Sequence, residues 1–287
     1  MIVVMFCQNY FAQSDSLFKA QELCNQKKYT EAIKVIDKAI LNTETATDAA
    51  TWHIRAFAYI QTYKQQGAAN TQKINLLDTA ISSAIKSNFL DDKKEYLENN
   101  NAFIKNGSTT YYKLAVFQIN DSLNAGKSEF FYNKYKKYYK IIDPSFDFKA
   151  KDIEYYNVVG GQFEDLYIKN NFNKNYGDIT KTALLKVLDL DPKNISANIN
   201  LGILYYNQGA ALMNELDYDA QLDKLDVIQD NAAKLFKQSL PFMLKVYELE
   251  PKDKRVIEGL EGIYSALLDE AKSNEFKRKK EALNNNK

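Results

Sequence analysis

Asn198-Ile-Asn-Leu201-Gly202-Ile-Leu-Tyr205 begins six residues after Pro192 and stands well upstream of Pro251, and its residue types specify the first helix of a helical hairpin. On a helix, Leu201 and Tyr205 share one face with Gly202 beside them, and the missing Cβ of Gly202 lets a neighbouring helix come close. Pro192 and Pro251 then end the second helix of successive hairpins, because proline cannot donate to the helical ladder. The phase carries forward. Pro192 places an aliphatic residue at 201 and an aromatic at 205, and Pro251 places Leu260 and Tyr264 at the same offsets. Glu261 stands where Gly202 has its equivalent and Gly262 follows one place late, so the last hairpin reads as a degenerate terminal copy. Near the N-terminus, Ala20, Leu23, Tyr29, Ala32, Ile36 and Ala39 have the spacing of the small and apolar positions of one hairpin, and Trp52, Ala56 and Tyr59 open a second in phase.

The middle of the chain stretches the pattern. Pro144 and Pro192 are 48 residues apart and Pro192 and Pro251 are 59 apart, an excess of about 14 and 25 over a repeat of ~34 residues. These extra residues must lengthen helices or loop out. Gln208 to Asn231 reads as the larger insertion, with Gly209-Ala-Ala-Leu-Met continuing the first helix and Leu216-Asp217-Tyr218-Asp219 as the break. From Ala220, Leu222, Leu225, Ile228 and Ala232 predict a second helix running to Leu249. Pro241 lies inside that run and is expected to kink the helix, since Leu240, Leu244 and Tyr247 continue its apolar stripe.

On these residues the chain resembles the tetratricopeptide-repeat superfamily along most of its length, most clearly at 13–60 and 193–268. The resemblance implies an all-α fold, a right-handed α-solenoid of about five or six helical hairpins with elongated central repeats. It also implies a concave surface, formed mostly by the first helix of each hairpin, that binds an unidentified protein or peptide. With core positions removed, the groove candidates are Val116, Asn120, Ile199, Ile203, Tyr206 and Asn207. Members of the superfamily that bind chaperone tails use paired Lys and Asn residues in the groove to hold a carboxylate. This chain has Leu17 and Gln21, and Ile199 and Ile203, in those places, so its groove is apolar and suits an amphipathic helix or an extended segment. Leu240-Pro241-Phe242 and Glu250-Pro251-Lys252-Asp253 also resemble the tail of envelope-targeted repeat proteins of Bacteroidetes-type bacteria.

Composition fits an extended helical protein. Four Pro and 10 Gly in 287 residues interrupt little, and a hydrophobic content of 45% is ample for a continuous core between stacked hairpins. Lys and Arg total 38 against 37 Asp and Glu, leaving +1, so no global field gathers nucleic acid or an anionic membrane. The 20 Tyr and 16 Phe are the bulky partners that small residues on facing helices require.

Signals for catalysis are absent from the sequence, and no cofactor or metal is expected. His53 is the single histidine, so a His-based metal site or dyad would rest on one imidazole. Gly160-Gly161 lacks the rest of a phosphate-cradling motif and reads as a site of close helix packing. Asp189 with Asp191 and Asp217 with Asp219 lack the remainder of an ion-binding loop and read as turn chemistry. In Phe130-Phe-Tyr-Asn-Lys-Tyr-Lys-Lys-Tyr-Tyr-Lys140, Phe131, Tyr135, Tyr138 and Ile142 share one helical face, which predicts core residues with solvated Lys134, Lys137 and Lys140 around them. Cys24 reads as a small buried hydrophobe.

Residues 1–13 read as a remnant of a signal peptide. Met1 to Cys7 is apolar and Phe11-Ala12-Gln13-Ser14 is like the end of a secretory signal, although the basic n-region is missing. The alternative is a cytoplasmic protein with a buried first helix. The expected organisation is therefore 1–13 as this remnant, 14–272 as the helical-repeat domain, and 273–287 as a basic, Asn-rich helix end or tail, with no transmembrane segment. The expected function is a non-enzymatic protein-interaction scaffold, periplasmic or secreted. The alternatives are a nucleic-acid-binding solenoid, which the near-zero charge disfavours, and an enzyme, for which no site is visible.

Overall fold

Pro144, Pro192 and Pro251 each stand two residues past a helix end, in a short turn. Polar side chains then restart the helices by capping their free N–H groups. Asn194 Oδ1 accepts from the Ala197 N–H at 3.0 Å and Asp253 Oδ1 from the Arg255 N–H at 2.9 Å. The computed structural model describes residues 4–65, 73–120, 123–214 and 222–285, the side chains of 4–14, 222 and 223 excepted. The described residues form twelve α-helices with no strand among them, and they divide into two compact units between Phe146 and Asp147.

Unit 1 contains α1 (Val4–Asn25), α2 (Tyr29–Ala39), α3 (Ala49–Gln65), α4 (Ile74–Leu90), α5 (Leu97–Asn120) and α6 (Ala125–Ile142). Unit 2 contains α7 (Lys149–Lys169), α8 (Lys174–Leu190), α9 (Ile195–Asn214), α10 (Leu222–Leu249), α11 (Lys254–Ala266) and α12 (Glu270–Asn285). Within each unit an odd-numbered helix pairs with the even-numbered helix after it, giving three stacked hairpins, as in a helical solenoid. First helices of successive hairpins also touch one another, α1 with α3, α3 with α5, α7 with α9, and α9 with α11.

The repeat phase is confirmed at the hairpin of α9 and α10. A Cβ on Gly202 would lie 2.8 Å from Met243 Cγ, so the crossing closes only because that position has no side chain. One heptad on, Gly209 faces the ring of Phe236 in the same antiparallel register. Gly160 plays this part in α7 against Leu184 of α8, whereas Gly161 meets nothing within 4 Å and has no packing task. The late glycine of the terminal hairpin serves a different contact: Gly262 faces the Tyr206 hydroxyl of α9 rather than α12. The long spacing between prolines is taken up in helices, since α9 spans 20 residues and α10 spans 28, with Pro241 inside α10. Leu216 to Asp219, expected to break that hairpin, lies outside the described residues. α1 runs unbroken through the boundary expected at residue 13. The basic C-terminal segment belongs to α12, whose Phe276 is buried against Tyr264 and Tyr247.

In α6, Phe131 and Tyr135 are buried as expected, but Lys134 is not a solvated lysine. It pairs with Asp78 of α4, with its ammonium 5.2 Å from the centres of the Tyr111 and Phe130 rings. Asp78 also accepts from the hydroxyls of Tyr111 at 2.5 Å and Tyr138 at 2.9 Å, so one carboxylate ties α4, α5 and α6 together. Burial pushes the Asp78 carboxyl up, and the hydrogen bonds from Lys134, Tyr111 and Tyr138 outweigh it and hold the group below its usual value.

Two outcomes follow from this packing. Gly202→Leu is expected to destabilise the protein by about 2–4 kcal/mol through overpacking against Met243, read as a lowered urea midpoint; an unchanged midpoint is incompatible with the crossing described. Asp78→Asn is expected to cost about 2–3 kcal/mol near neutral pH by breaking charge-assisted hydrogen bonds. Because the folded-state pKa is depressed, this stabilisation is present above the ordinary carboxyl value and is lost as pH falls through the lowered one. Urea titrations of both proteins near neutrality and below about pH 4 should therefore converge in acid.

Candidate functional site

The groove candidates separate on burial. Val116 is half-buried and Asn120 exposed at the C-terminal end of α5, where Phe117 adds exposed ring surface. In unit 2, Ile199 is only 1% exposed and belongs to the core cluster of Met243, Val246, Val256, Leu260 and Ile263. Ile199 therefore offers no surface to a partner. Ile203 and Tyr206 are partly buried against the same cluster, and the Tyr206 ring lies 5.5 Å from that of Phe236. The reason is geometric: first helices of successive hairpins touch, so the face holding 199, 203 and 206 meets α11. Asn207 is half-buried beside them. The structure groups Val116 with Asn120 in unit 1 and the other four in unit 2.

In unit 1 the equivalent face of α3 carries His53 and Phe57, and here the chemistry differs. The His53 ring stacks between Tyr96 and Phe103, with centroids 4.7 and 5.6 Å away and interplanar angles of 26° and 17°. Phe57 adjoins Phe103 at 6.1 Å, and Tyr29 meets Phe57 edge-on at 6.0 Å. The result is a ribbon of five rings, Tyr96, His53, Phe103, Phe57 and Tyr29, all half-buried. A chain of side chains fixes it from below. His53 Nδ1 lies 2.8 Å from Asn100 Oδ1; that oxygen can only accept, so Nδ1 donates. Asn100 Nδ2 donates to Asn88 Oδ1 at 2.9 Å, and Asn88 Nδ2 to Asn101 Oδ1 at 3.0 Å.

Beside Tyr96 opens a polar cleft of about 300 Å³ whose walls include Asp48, Asp91, Asp92, Lys93 and Glu95. Two of its carboxylates are occupied by capping. Asp48 accepts from the Ala50 and Thr51 N–H groups of α3, and Asp91 from Glu95 and Tyr96 at the start of α5. Asp191 likewise takes the Lys193 N–H in the turn before α9, so it serves turn chemistry, whereas Asp189 lies in the last turn of α8. Asp217 and Asp219 lie outside the described residues. Among the described residues no three His, Cys, Asp or Glu side chains gather in a way that could hold a metal ion. Cys24 is buried, and burial pushes its thiol up to about 11. No helix among the described residues is long and apolar enough to cross a membrane.

The ring ribbon is the feature the sequence did not disclose. His53 and Asn100 are 47 positions apart, and Asn88 and Asn101 sit on helices whose mutual register no local pattern states. The available signal was the coincidence of His53 and Phe57 with the first-helix positions that Ile199 and Ile203 occupy in the better-phased hairpin.

No family model matches the chain, and no curated protein matches it by sequence. Among solved structures, the chain is similar to Nro1, described as a hypoxic regulator of sterol synthesis and a nuclear import adaptor. The likeness covers 96% of this chain and 87% of that one at 14% identity and a TM-score of 0.36. At that score it carries no inference about what this chain binds.

Proposed function

We propose that the chain is a non-enzymatic protein-binding scaffold whose unit 1 takes an apolar segment of a partner protein along the first-helix face of α3 and α5. The observation that supports it is the half-exposed ribbon of five rings, held in place by the His53, Asn100 and Asn88 hydrogen bonds. Rigid aromatic surface contributes large contact area with little loss of side-chain freedom, which is why aromatic anchors dominate the energetics of interfaces. The fixed imidazole and the cleft beside Tyr96 supply polar groups at the rim of that surface.

A photo-crosslinking residue placed at Phe103 is expected to capture a defined protein in the native host, and one placed at Val227 of α10 is expected not to. Phe103→Ala should weaken binding of that protein by roughly tenfold or more while retaining helicity. Equal capture from both positions, or unchanged affinity in the folded variant, rejects this face as the binding surface.

On α9, Ile203 and Tyr206 pack against the core of unit 2 and serve stability. Ile203→Glu together with Tyr206→Glu places two carboxylates against the core cluster of unit 2 and is expected to lower stability by about 3 kcal/mol or more. A variant with unchanged melting that has lost the partner would instead return the binding surface to α9.

A further inference from the structure

Inside the hairpin of α7 and α8, polar groups are buried where the packing predicts apolar ones. The antiparallel register is set at two points. Gly160 faces Leu184, and Gly177 faces the ring of Tyr167, seven residues further along α7 and seven back along α8. Four residues on from Gly160 and four back from Leu184 stand Glu164 and Thr180, which therefore occupy the same level of the seam. Glu164 is 7% exposed and Thr180 fully buried, and neither Glu164 Oε1 nor Thr180 Oγ1 has a hydrogen-bond partner. Asn157 Oδ1, two turns back along α7, is buried and unpartnered as well. Phe163, Val159, Tyr167 and Leu184 make the surroundings apolar.

An ionised carboxylate in that seam has no compensating cation among the described residues. Asp165 follows on α7, exposed and of like charge. On α8, Lys181 holds its ammonium 5.4 Å from the centre of the Tyr205 ring of α9, Asp178 is exposed, and Tyr176 packs its ring against Phe163. α9, which also packs on α7, brings the phenol of Tyr205 and the amide of Gln208, the latter near Gly177. A buried, unpaired charge is far costlier than a buried neutral acid.

We propose that Glu164 is a proton-dependent latch of the α7–α8 hairpin: the closed hairpin holds it as the neutral acid, and loss of the proton loosens the pairing of α7 with α8. Burial, reinforced by the like charge of Asp165, raises the Glu164 carboxyl from 4.5 to about 8. The folded-state value lies above the unfolded one, so the stabilisation is complete below the ordinary carboxyl range and is lost as pH rises through about 8. Between those values the closed state holds one proton that the open state releases, and the closing equilibrium weakens about tenfold per pH unit.

Hydrogen exchange on the full chain at about pH 6, 7 and 8, corrected for the intrinsic pH dependence of exchange, reads this directly. The α7 and α8 amides of the wild type are expected to lose protection with that tenfold slope while α11 and α12 keep theirs, and Glu164→Gln is expected to abolish the slope. Glu164→Leu, which removes the acid altogether, gives the same pH-independent reference if the glutamine variant does not fold. A slope that survives in either variant, or a wild type without one, overturns the latch. An NMR titration of the Glu164 carboxyl in the wild type needs no variant: a midpoint above about 7 supports the proposal and one near 4.5 overturns it.

Discussion

The constraint on which the stack of unit 2 depends is the distance of closest approach within the α7–α8 and α9–α10 hairpins. Where Gly202 meets Met243, Gly209 meets Phe236, or Gly160 meets Leu184, one helix has no side chain and the other inserts one. Interiors pack to crystal-like density, so such a pair defines the register of the two helices to the residue. With α9 and α10 locked in this way, Ile199 and Met243 enter one cluster with Val256, Leu260 and Ile263 of α11, and the next hairpin inherits its position. The stack grows because each hairpin has a second apolar face that its own two helices cannot cover.

Unit 1 adds polar fixtures to this packing. Arg55 of α3 donates to Asp37 of α2 at 2.8 Å and to Ser83 of α4 at 2.7 Å, while its guanidinium lies over the Tyr59 ring. The Tyr59 hydroxyl donates to the same Asp37, and its pKa is pushed up to about 12, by burial first and then by that carboxylate. Asp78 does for α4, α5 and α6 what Asp37 does for α2 and α3. Ion pairs of this kind add little net energy relative to apolar packing, since both charges lose water. They do select one arrangement: a helix shifted by one residue would leave the carboxylate with a missing donor, and a missing donor is expensive where burial is substantial.

Gly202, Leu201, Tyr205 and the prolines were legible in the sequence because each acts within its own hairpin, where spacing along the chain equals position on a face. Ile199 was not, since its environment depends on how α9 meets α11, a relation no local spacing encodes. Lys134 was misplaced for the same reason, its partner Asp78 lying 56 positions upstream. Several turns were also hidden. Lys27 at φ 61° and Leu268 at φ 60° adopt the left-handed conformation that glycine usually takes, and Leu268 does so while largely exposed. Backbone bonds explain the geometry: Lys28 N–H reaches Leu23 O at 2.8 Å and Asp269 N–H reaches Tyr264 O at 2.9 Å, closing the helix ends whatever the residue between.

The difference between the two units lies in how one shared position is filled. His53 and Phe57 in α3 correspond by phase to Ile199 and Ile203 in α9, just as Ala56 corresponds to Gly202 and Tyr59 to Tyr205. All four side chains stand where a first helix meets the next first helix. Branched aliphatic groups fill that seam in unit 2, and Ile199 disappears from solvent. Flat rings fill it in unit 1, and their stacking leaves ring edges outside the contact, so Tyr96, His53, Phe103 and Phe57 stay half-exposed. An imidazole anchored by Asn100 tolerates that exposure, having a polar atom as well as an apolar face. The packing position that completes a scaffold joint in one unit thus becomes, with aromatic residues in it, a half-exposed face in the other, the face proposed to take a partner.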